Sequence, residues 1–287
     1  MDMSVKQIAL LFGLEDILSV SELKKGHINR TFLLECSGGR YILQSLNREI
    51  FKFPEIIAEN TEMILKVFSV NPDCGVRVPD FMRPGGRMHI EENGKVWRMY
   101  RYIEPSGGYS PYIHGFAVGR FLRVINSGDF KLQIPMKKHD VDVPLPIRNI
   151  HGDTKADNII FGETPSIIDL DTASRDYAFV DFGDMLRSVT SDGFDMQKIR
   201  EAVSGFAEGV GDLLTNDEIN NLAAGTLLVI KWLCKRYGEG NKNFPNKTQE
   251  QCLERLRQLV LQLDDFHKNE NEISSVIRSN FRKGNIM

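Results

Sequence analysis

The chain has 287 residues, 41% of them apolar and 26% charged, with 36 Lys and Arg against 39 Asp and Glu for a formal net charge of −3. That length suffices for one large domain or two lobes with a sizeable core, and the scattered, nearly balanced charges exclude nucleic acid or an anionic membrane as the main partner. Cys36, Cys74, Cys234 and Cys252 form no CxxC pair, which argues against a disulfide framework or zinc knuckle and predicts reduced thiols in a cytoplasmic protein.

The opening stretch "MDMSVKQIALLFGLEDIL" lacks a basic start and a cleavage site, so it reads as an amphipathic helix, not a signal peptide. "RTFLLEC" and "RYILQSL" follow as two strands joined through Gly38 and Gly39. "PEIIAENTEMILKVF", residues 54 to 68, has helical spacing and a Pro suited to a first turn. A second hairpin, "GRMHIEENGKVWRMYRYIE", turns at Asn93-Gly94. Pro and Gly then concentrate in "PSGGYSP", residues 105 to 111, which reads as a linker between lobes.

Beyond it the pattern becomes helical in "YIHGFAVGRFLRVIN", "FGDMLRSVTS", "MQKIREAVSGFAEGVGDLL", "NDEINNLAAGTLLVIKWLCKRY" and "TQEQCLERLRQLVLQLDDF". The longest apolar stretch, "LAAGTLLVI", is far short of a membrane span. The expected architecture is α+β and two-lobed: a small β-rich lobe over residues 1–104, a larger mostly helical lobe over residues 105–287, and a cleft between them.

The chemistry concentrates in "HGDTKADNIIFGETPSIIDLDT", residues 151 to 172. "NIIF" and "SIIDL" read as a hairpin around "GETP". With Phe161 opposite Ser166, Asn158 falls opposite Asp169, where one amide oxygen and one carboxylate can share a hard cation. Magnesium takes a few protein oxygens and leaves its remaining positions to water and phosphate. Asp153, in the loop entering the hairpin, is placed to take a proton from a hydroxyl attacking a γ-phosphate. A catalytic Asp, an Asn a few residues on and a metal-binding Asp after a short hairpin together form the general kinase layout. The bland alternative is a loop rich in side-chain caps. Asp157 and Glu163 read as solvent-facing, and Asp171 as either a second metal contact or a cap.

"DFGD", residues 181 to 184, resembles the metal-binding triplet of protein kinases, but Asp181 opens a helix and has no cross-strand partner. It is expected to cap that helix. His151 is expected to support the catalytic loop by hydrogen bonding. No two histidines have ligand spacing, and Trp97 and Tyr100 read as strand packing.

"HGDTKADN" followed by "IIDLD" resembles the aminoglycoside phosphotransferase and choline kinase superfamily, which has a protein-kinase-like fold. "GHINRTFLL", "GGRYILQSLN", "FKFPE", "WRMYRYIE", "DFGDMLRS" and "GFAEGVGDLLTNDEI" are similar to its N-acetylhexosamine 1-kinase branch, and the likeness runs through most of the chain. The resemblance implies transfer of the ATP γ-phosphate, with Mg2+, to the anomeric hydroxyl of an N-acetylated hexosamine. It implies Asp153 as base, Asn158 and Asp169 as magnesium ligands, and Arg101, Tyr102 and Ile103 as the hinge contacting adenine. It also implies that "KKGHINRT", with Gly26, Asn29 and Thr31, lies over the phosphates together with Gln44. His27, Tyr109, Asp171 and Lys231 are the implied acceptor contacts.

Three departures from the resemblance stand out. Gln44 occupies the place of the usual phosphate-pairing lysine, leaving Lys24, Lys25 or Arg30 to supply the charge. A helical insertion before the catalytic motif is missing, which removes a segment that shapes acceptor choice. Lys231 stands where relatives favour Arg, which offers a planar fork that Lys does not. An aminoglycoside, choline or another amino alcohol is the alternative acceptor, although no dense acidic run for a cation appears in the last hundred residues. A nucleotide-binding pseudokinase is the alternative from another class. Arg255 and Arg257 on the last predicted helix face cleft or solvent depending on register.

Overall fold

A computed structural model describes residues 3–23, 29–47, 53–133, 144–244 and 246–283. The N-terminal part is a five-stranded antiparallel sheet with order β1-β2-β3-β5-β4, formed by β1 (Ile17–Leu23), β2 (Arg30–Cys36), β3 (Gly39–Leu46), β4 (His89–Glu92) and β5 (Lys95–Arg101). Strand alternation puts Phe32, Leu34, Leu43, Trp97 and Met99 on one face under Ile8, Phe12 and Leu14. Ile42 and Tyr100 face the other side with Phe81 and Met88. Asn93 and Gly94 both take positive φ in the β4–β5 turn, as the sequence predicts.

The predicted N-terminal helix is shorter than expected. Helix α1 covers only Val5–Leu11, capped by Ser4 and Gln7. Gly13 at φ 77 ends it, and the chain turns into β1. Helix α2 (Pro54–Ser69) precedes the linker, yet it sends Ile64 and Phe68 into the larger core. Its buried Asn60 donates to the Ala173 carbonyl at 2.8 Å.

The remainder holds α3 (Pro111–Ile125), β6 (Ile147–Ile150), β7 (Ile159–Ile160), β8 (Ser166–Ile167), β9 (Ser174–Tyr177), α4 (Ala178–Val189), α5 (Met196–Val210), α6 (Asn216–Gly238), α7 (Gln249–Lys268) and α8 (Glu270–Lys283). Helix α4 is buried at every position, with α6, α3 and α5 packed against it. Full burial of side chains such as Phe121, Phe182 and Phe206 contributes roughly 1.5–3 kcal/mol each relative to exposure. Helices α3 and α5 meet at glycines. A Cβ at Gly115 would overlap the Ala202 carbonyl, and one at Gly209 the Phe116 carbonyl. Two short antiparallel pairs, β6–β9 and β7–β8, carry the loops that face the small sheet. Among the described residues no helix is long and apolar enough to cross a membrane.

Candidate active site

The loop after β6 is held from beneath. The backbone amides of His151 and Gly152 donate to the two oxygens of Asp181 at 2.8 and 2.7 Å, and the Thr154 hydroxyl donates to the Asp181 carbonyl at 2.6 Å. Asp181 is completely buried, inside the first turn of α4, whose N-cap is Tyr177. The expected capping role is therefore corrected: this carboxylate satisfies the amides of the loop after β6.

His151 plays the supporting part expected of it. Its Nε2 donates to the Ile168 carbonyl at 3.0 Å, and its Nδ1 accepts the Asp153 amide at 3.2 Å. Since a carbonyl only accepts, the proton sits on Nε2. His114 Nε2 likewise donates to the Thr154 carbonyl at 2.7 Å, and burial pushes this imidazole down to about 4, so it is neutral. Gly152, at φ 79, makes the sharp bend that precedes Asp153.

Asp153 and Asn158 are locked together. The Asn158 amide donates to the Asp153 carbonyl at 2.8 Å and to its carboxylate at 2.9 Å. That commits the nitrogen and leaves the amide oxygen as the acceptor end. Lys155 donates to the same Asp153 carboxylate at 2.7 Å. Burial opposes the Lys155 charge, but Asp153 and Asp169 outweigh it and hold the ammonium above its ordinary pKa. Asp157 and Glu163 are exposed.

The expected hairpin register is off by one. Ile159 pairs with Ile167 and Ile160 with Ser166, so the loop is one residue longer and Asn158 does not oppose Asp169. Instead the Asn158 carbonyl accepts the Ile168 amide at 3.0 Å. Asp169 then takes a left-handed conformation, φ 63 and ψ 59. Such a backbone costs on the order of 1–3 kcal/mol for a residue other than glycine and collects at functional sites. Burial, followed by the nearby charges of Asp171 and Asp153, pushes the Asp169 carboxyl above the usual range. A cation would relieve that stress. Among the described residues no three His, Cys, Asp or Glu side chains converge on a metal position. The Asn158 amide oxygen and the Asp169 carboxylate are the donor type magnesium takes when it keeps most of its ligands for water and phosphate.

Thr31, Gln44 and Arg98 lie side by side on β2, β3 and β5. Gln44 donates to Thr31 at 3.3 Å and accepts from Arg98 Nε at 2.9 Å. The Arg98 guanidinium, 2% exposed, then grips both oxygens of Asp171, the longer contact being 3.0 Å. Asn29 donates to Asp171 at 2.7 Å. Asp171, expected to touch the acceptor, thus spends both oxygens on an ion pair with the small sheet. Positive charge does lie beside Gln44, but it comes from β5.

The remaining candidates are dispersed. Arg101 is exposed, the Tyr102 amide donates to the Arg40 carbonyl at 2.9 Å, and Ile103 is half-buried. The amides of Ser106 and Gly107 both donate to the Phe161 carbonyl at 3.1 Å, tying the linker to the β7–β8 turn. Tyr109 packs edge-on against Phe161 and His114 while 46% exposed. Lys231 is exposed on α6, and Trp97 and Tyr100 are buried. Gly26, His27, Lys24 and Lys25 lie outside the described residues. Arg257 points outward to Glu254, whereas Arg255 is half-buried. Sequence reading missed Arg98 and Lys155. The first was legible as a charge inside the apolar run "VWRMY", the second in the D-x-K spacing of "HGDTK".

A phosphotransferase enzyme family model matches residues 136–211, the segment that contains Asp153, Asn158 and Asp169. Among solved structures, an aminoglycoside phosphotransferase from Alicyclobacillus acidocaldarius is 10% identical with TM-score 0.66, covering 97% of this chain and 98% of its own. A microcompartment-associated aminopropanol kinase is 14% identical with TM-score 0.65, covering 94% and 99%. A spectinomycin phosphotransferase in complex with ADP and spectinomycin is 13% identical with TM-score 0.58, covering 98% and 99%. The likeness shows a two-lobed α+β kinase-like fold.

Proposed function

We propose that this chain, which its matched catalytic segment and its fold support as a small-molecule phosphotransferase of the aminoglycoside phosphotransferase and choline kinase family, transfers the γ-phosphate of ATP to a sugar hydroxyl. The observation that carries the reading is the convergence of Asp153, Lys155, Asn158 and Asp169 on one pair of turns.

Asp153, oriented by Asn158, receives the proton of the acceptor hydroxyl as its oxygen bonds to the γ-phosphorus and the bond to the β-phosphate oxygen breaks, releasing ADP. Lys155 supplies fixed positive charge beside the transferred group. Asn158 and Asp169 would hold Mg2+, which when bound neutralises charge on the phosphate oxygens. Asp181, His151 and His114 keep the loop rigid, so that positioning and charge stabilisation supply most of the acceleration. Small sheet and hinge, residues 1–104 with Arg101, Tyr102 and Ile103, are assigned to the nucleotide. The helical part after the linker is assigned to the acceptor.

The anomeric hydroxyl of an N-acetylhexosamine is the first acceptor to test, on the strength of the sequence resemblance. ATP consumption with magnesium against GlcNAc, GalNAc, glucose, galactose, choline and kanamycin is the experiment. Turnover on a sugar that vanishes in Asp153→Asn supports the proposal, and turnover confined to choline or kanamycin refutes the sugar assignment.

A further inference from the structure

A cavity of about 680 Å³ opens between α2, the turn before β4 and the segment Lys131–Gln133. Its size is that of a small-molecule site, and none of Asp153, Lys155, Asn158 and Asp169 lines it. Helical spacing builds one wall: Glu55, Glu59 and Glu62 form a single row of α2, while Ile57, Asn60 and Ile64 turn inward and are buried. Arg87 and Lys131 stand on the other walls, and Met63 and the buried Met88 add apolar surface. These charges do not cancel one another. Glu62 pairs with Arg83 at 2.6 Å and Glu59 accepts from the Gln133 side chain, but among the described residues Glu55, Arg87 and Lys131 have no ion-pair partner. Opposite charges that line one cavity without meeting suit a ligand that carries both. A simple cation or anion would face a like-charged wall.

The Lys131–Gln133 wall is tied to both halves of the candidate active site. Asn60 accepts the Gln133 amide at 2.8 Å and donates to the Gln133 carbonyl at 3.0 Å and to the Ala173 carbonyl at 2.8 Å. Both of its amide hydrogens and its oxygen are thereby engaged. Ala173 closes the turn that follows Asp169 and contains Asp171. One residue before Gln133, the Leu132 amide donates to the Asn149 side-chain oxygen at 3.0 Å. Asn149 lies on β6, in the strand that leads directly into His151 and Asp153. Whatever draws α2 and Lys131–Gln133 together therefore acts on the Asp153 loop and the Asp169 turn through these hydrogen bonds.

We propose that this cavity is a regulatory site for a small zwitterion of the di- or tripeptide kind. Its ammonium meets Glu55 and Glu59, its carboxylate meets Arg87 and Lys131, and an apolar side chain covers Met63 and Met88. The end groups of such a molecule lie roughly 7–10 Å apart, whereas those of a free amino acid are adjacent and reach one wall at a time. Occupancy stands on the cavity alone. Its effect on ATP and turnover rests on the phosphotransferase reading above.

The test is calorimetric titration of the full chain with leucyl-leucine, its N-acetyl form, its C-terminal amide and free leucine, with and without magnesium and ATP. The dipeptide is expected to bind at least about tenfold more tightly than either capped form or leucine. Glu55→Gln and Lys131→Gln, both at exposed side chains, are expected to weaken it about tenfold and to leave ADP release without peptide unchanged. Linkage requires that saturating ATP shift the peptide Kd by the same factor by which peptide shifts the Kd of ATP. Capped forms that bind as well as the dipeptide, binding that survives both variants, or no binding at millimolar peptide overturn the site. Peptide binding with no change in ATP affinity overturns its regulatory role. No ADP release with any acceptor overturns the phosphotransferase reading alone, because both binding measurements are made without turnover.

Discussion

Arg98 of β5 holds both carboxylate oxygens of Asp171, 73 residues further along the chain, and both side chains are almost wholly buried. The pair joins the centre of the small sheet to the turn that follows Asp169, so that turn and the sheet share one rigid connection. Gln44 and Asn29 complete the cluster. A buried ion pair is costly to break because the surviving charge is stranded without solvent.

Arg98→Met is therefore expected to destabilise the fold by about 3–5 kcal/mol, the cost of an uncompensated buried carboxylate. Arg98→Met combined with Asp171→Leu is expected to recover most of that loss. Urea denaturation of the two variants checks the ordering. A double variant no more stable than the single one would show that the pair does not act as a unit.

Asp181 supports two amides and a hydroxyl of the loop after β6 from inside α4. Asp181→Ala removes the acceptor of the buried His151 and Gly152 amides, at about 1–3 kcal/mol each, while the Thr154 hydroxyl keeps the backbone carbonyl. Stability is expected to fall by several kcal/mol and kcat to fall more than KM for ATP rises. Steady-state kinetics alongside thermal unfolding separate this from a nucleotide contact, which would move KM first.

His114 gives the fold an acid limit. Its pKa is lowered from 6.5 in the unfolded chain to about 4 in the fold. Between those values the unfolded state binds the additional proton, so stability rises with pH. The contribution is intact above pH 6.5 and is lost as pH falls toward 4, up to roughly 3 kcal/mol for a separation of this size. Unfolding midpoints measured across that window are expected to drop more steeply in the wild type than in His114→Gln.

Much of this was legible in the residues themselves. Two hairpins, α2 and the helical half follow from alternation, helical spacing and the Asn93-Gly94 turn. Asp153, Asn158 and Asp169 stand out as oxygen donors around two short apolar strands. What failed was geometric. Short strands such as β7 and β8 fix register weakly, so a one-residue change in loop length moved Asn158 from Asp169 to Ile168. Asp181 has the sequence signature of a helix cap, and only tertiary packing shows its oxygens turned toward a different segment. The partners of Arg98 became visible only when β3 and β5 were paired, whereas α8, with Ile273, Val276, Ile277 and Phe281 at helical spacing, was legible but absent from the predicted helices.

The most direct measurement compares Asp153→Asn with Asp169→Ala for turnover and for binding of ATP in the presence of magnesium. If Asp153 takes the proton and Asp169 holds the metal, Asp153→Asn loses about 10²–10⁴-fold in kcat while nucleotide affinity stays within a few-fold. Asp169→Ala loses the magnesium-dependent part of nucleotide affinity itself. Variants that behave alike and keep their activity would contradict the assignment of both residues.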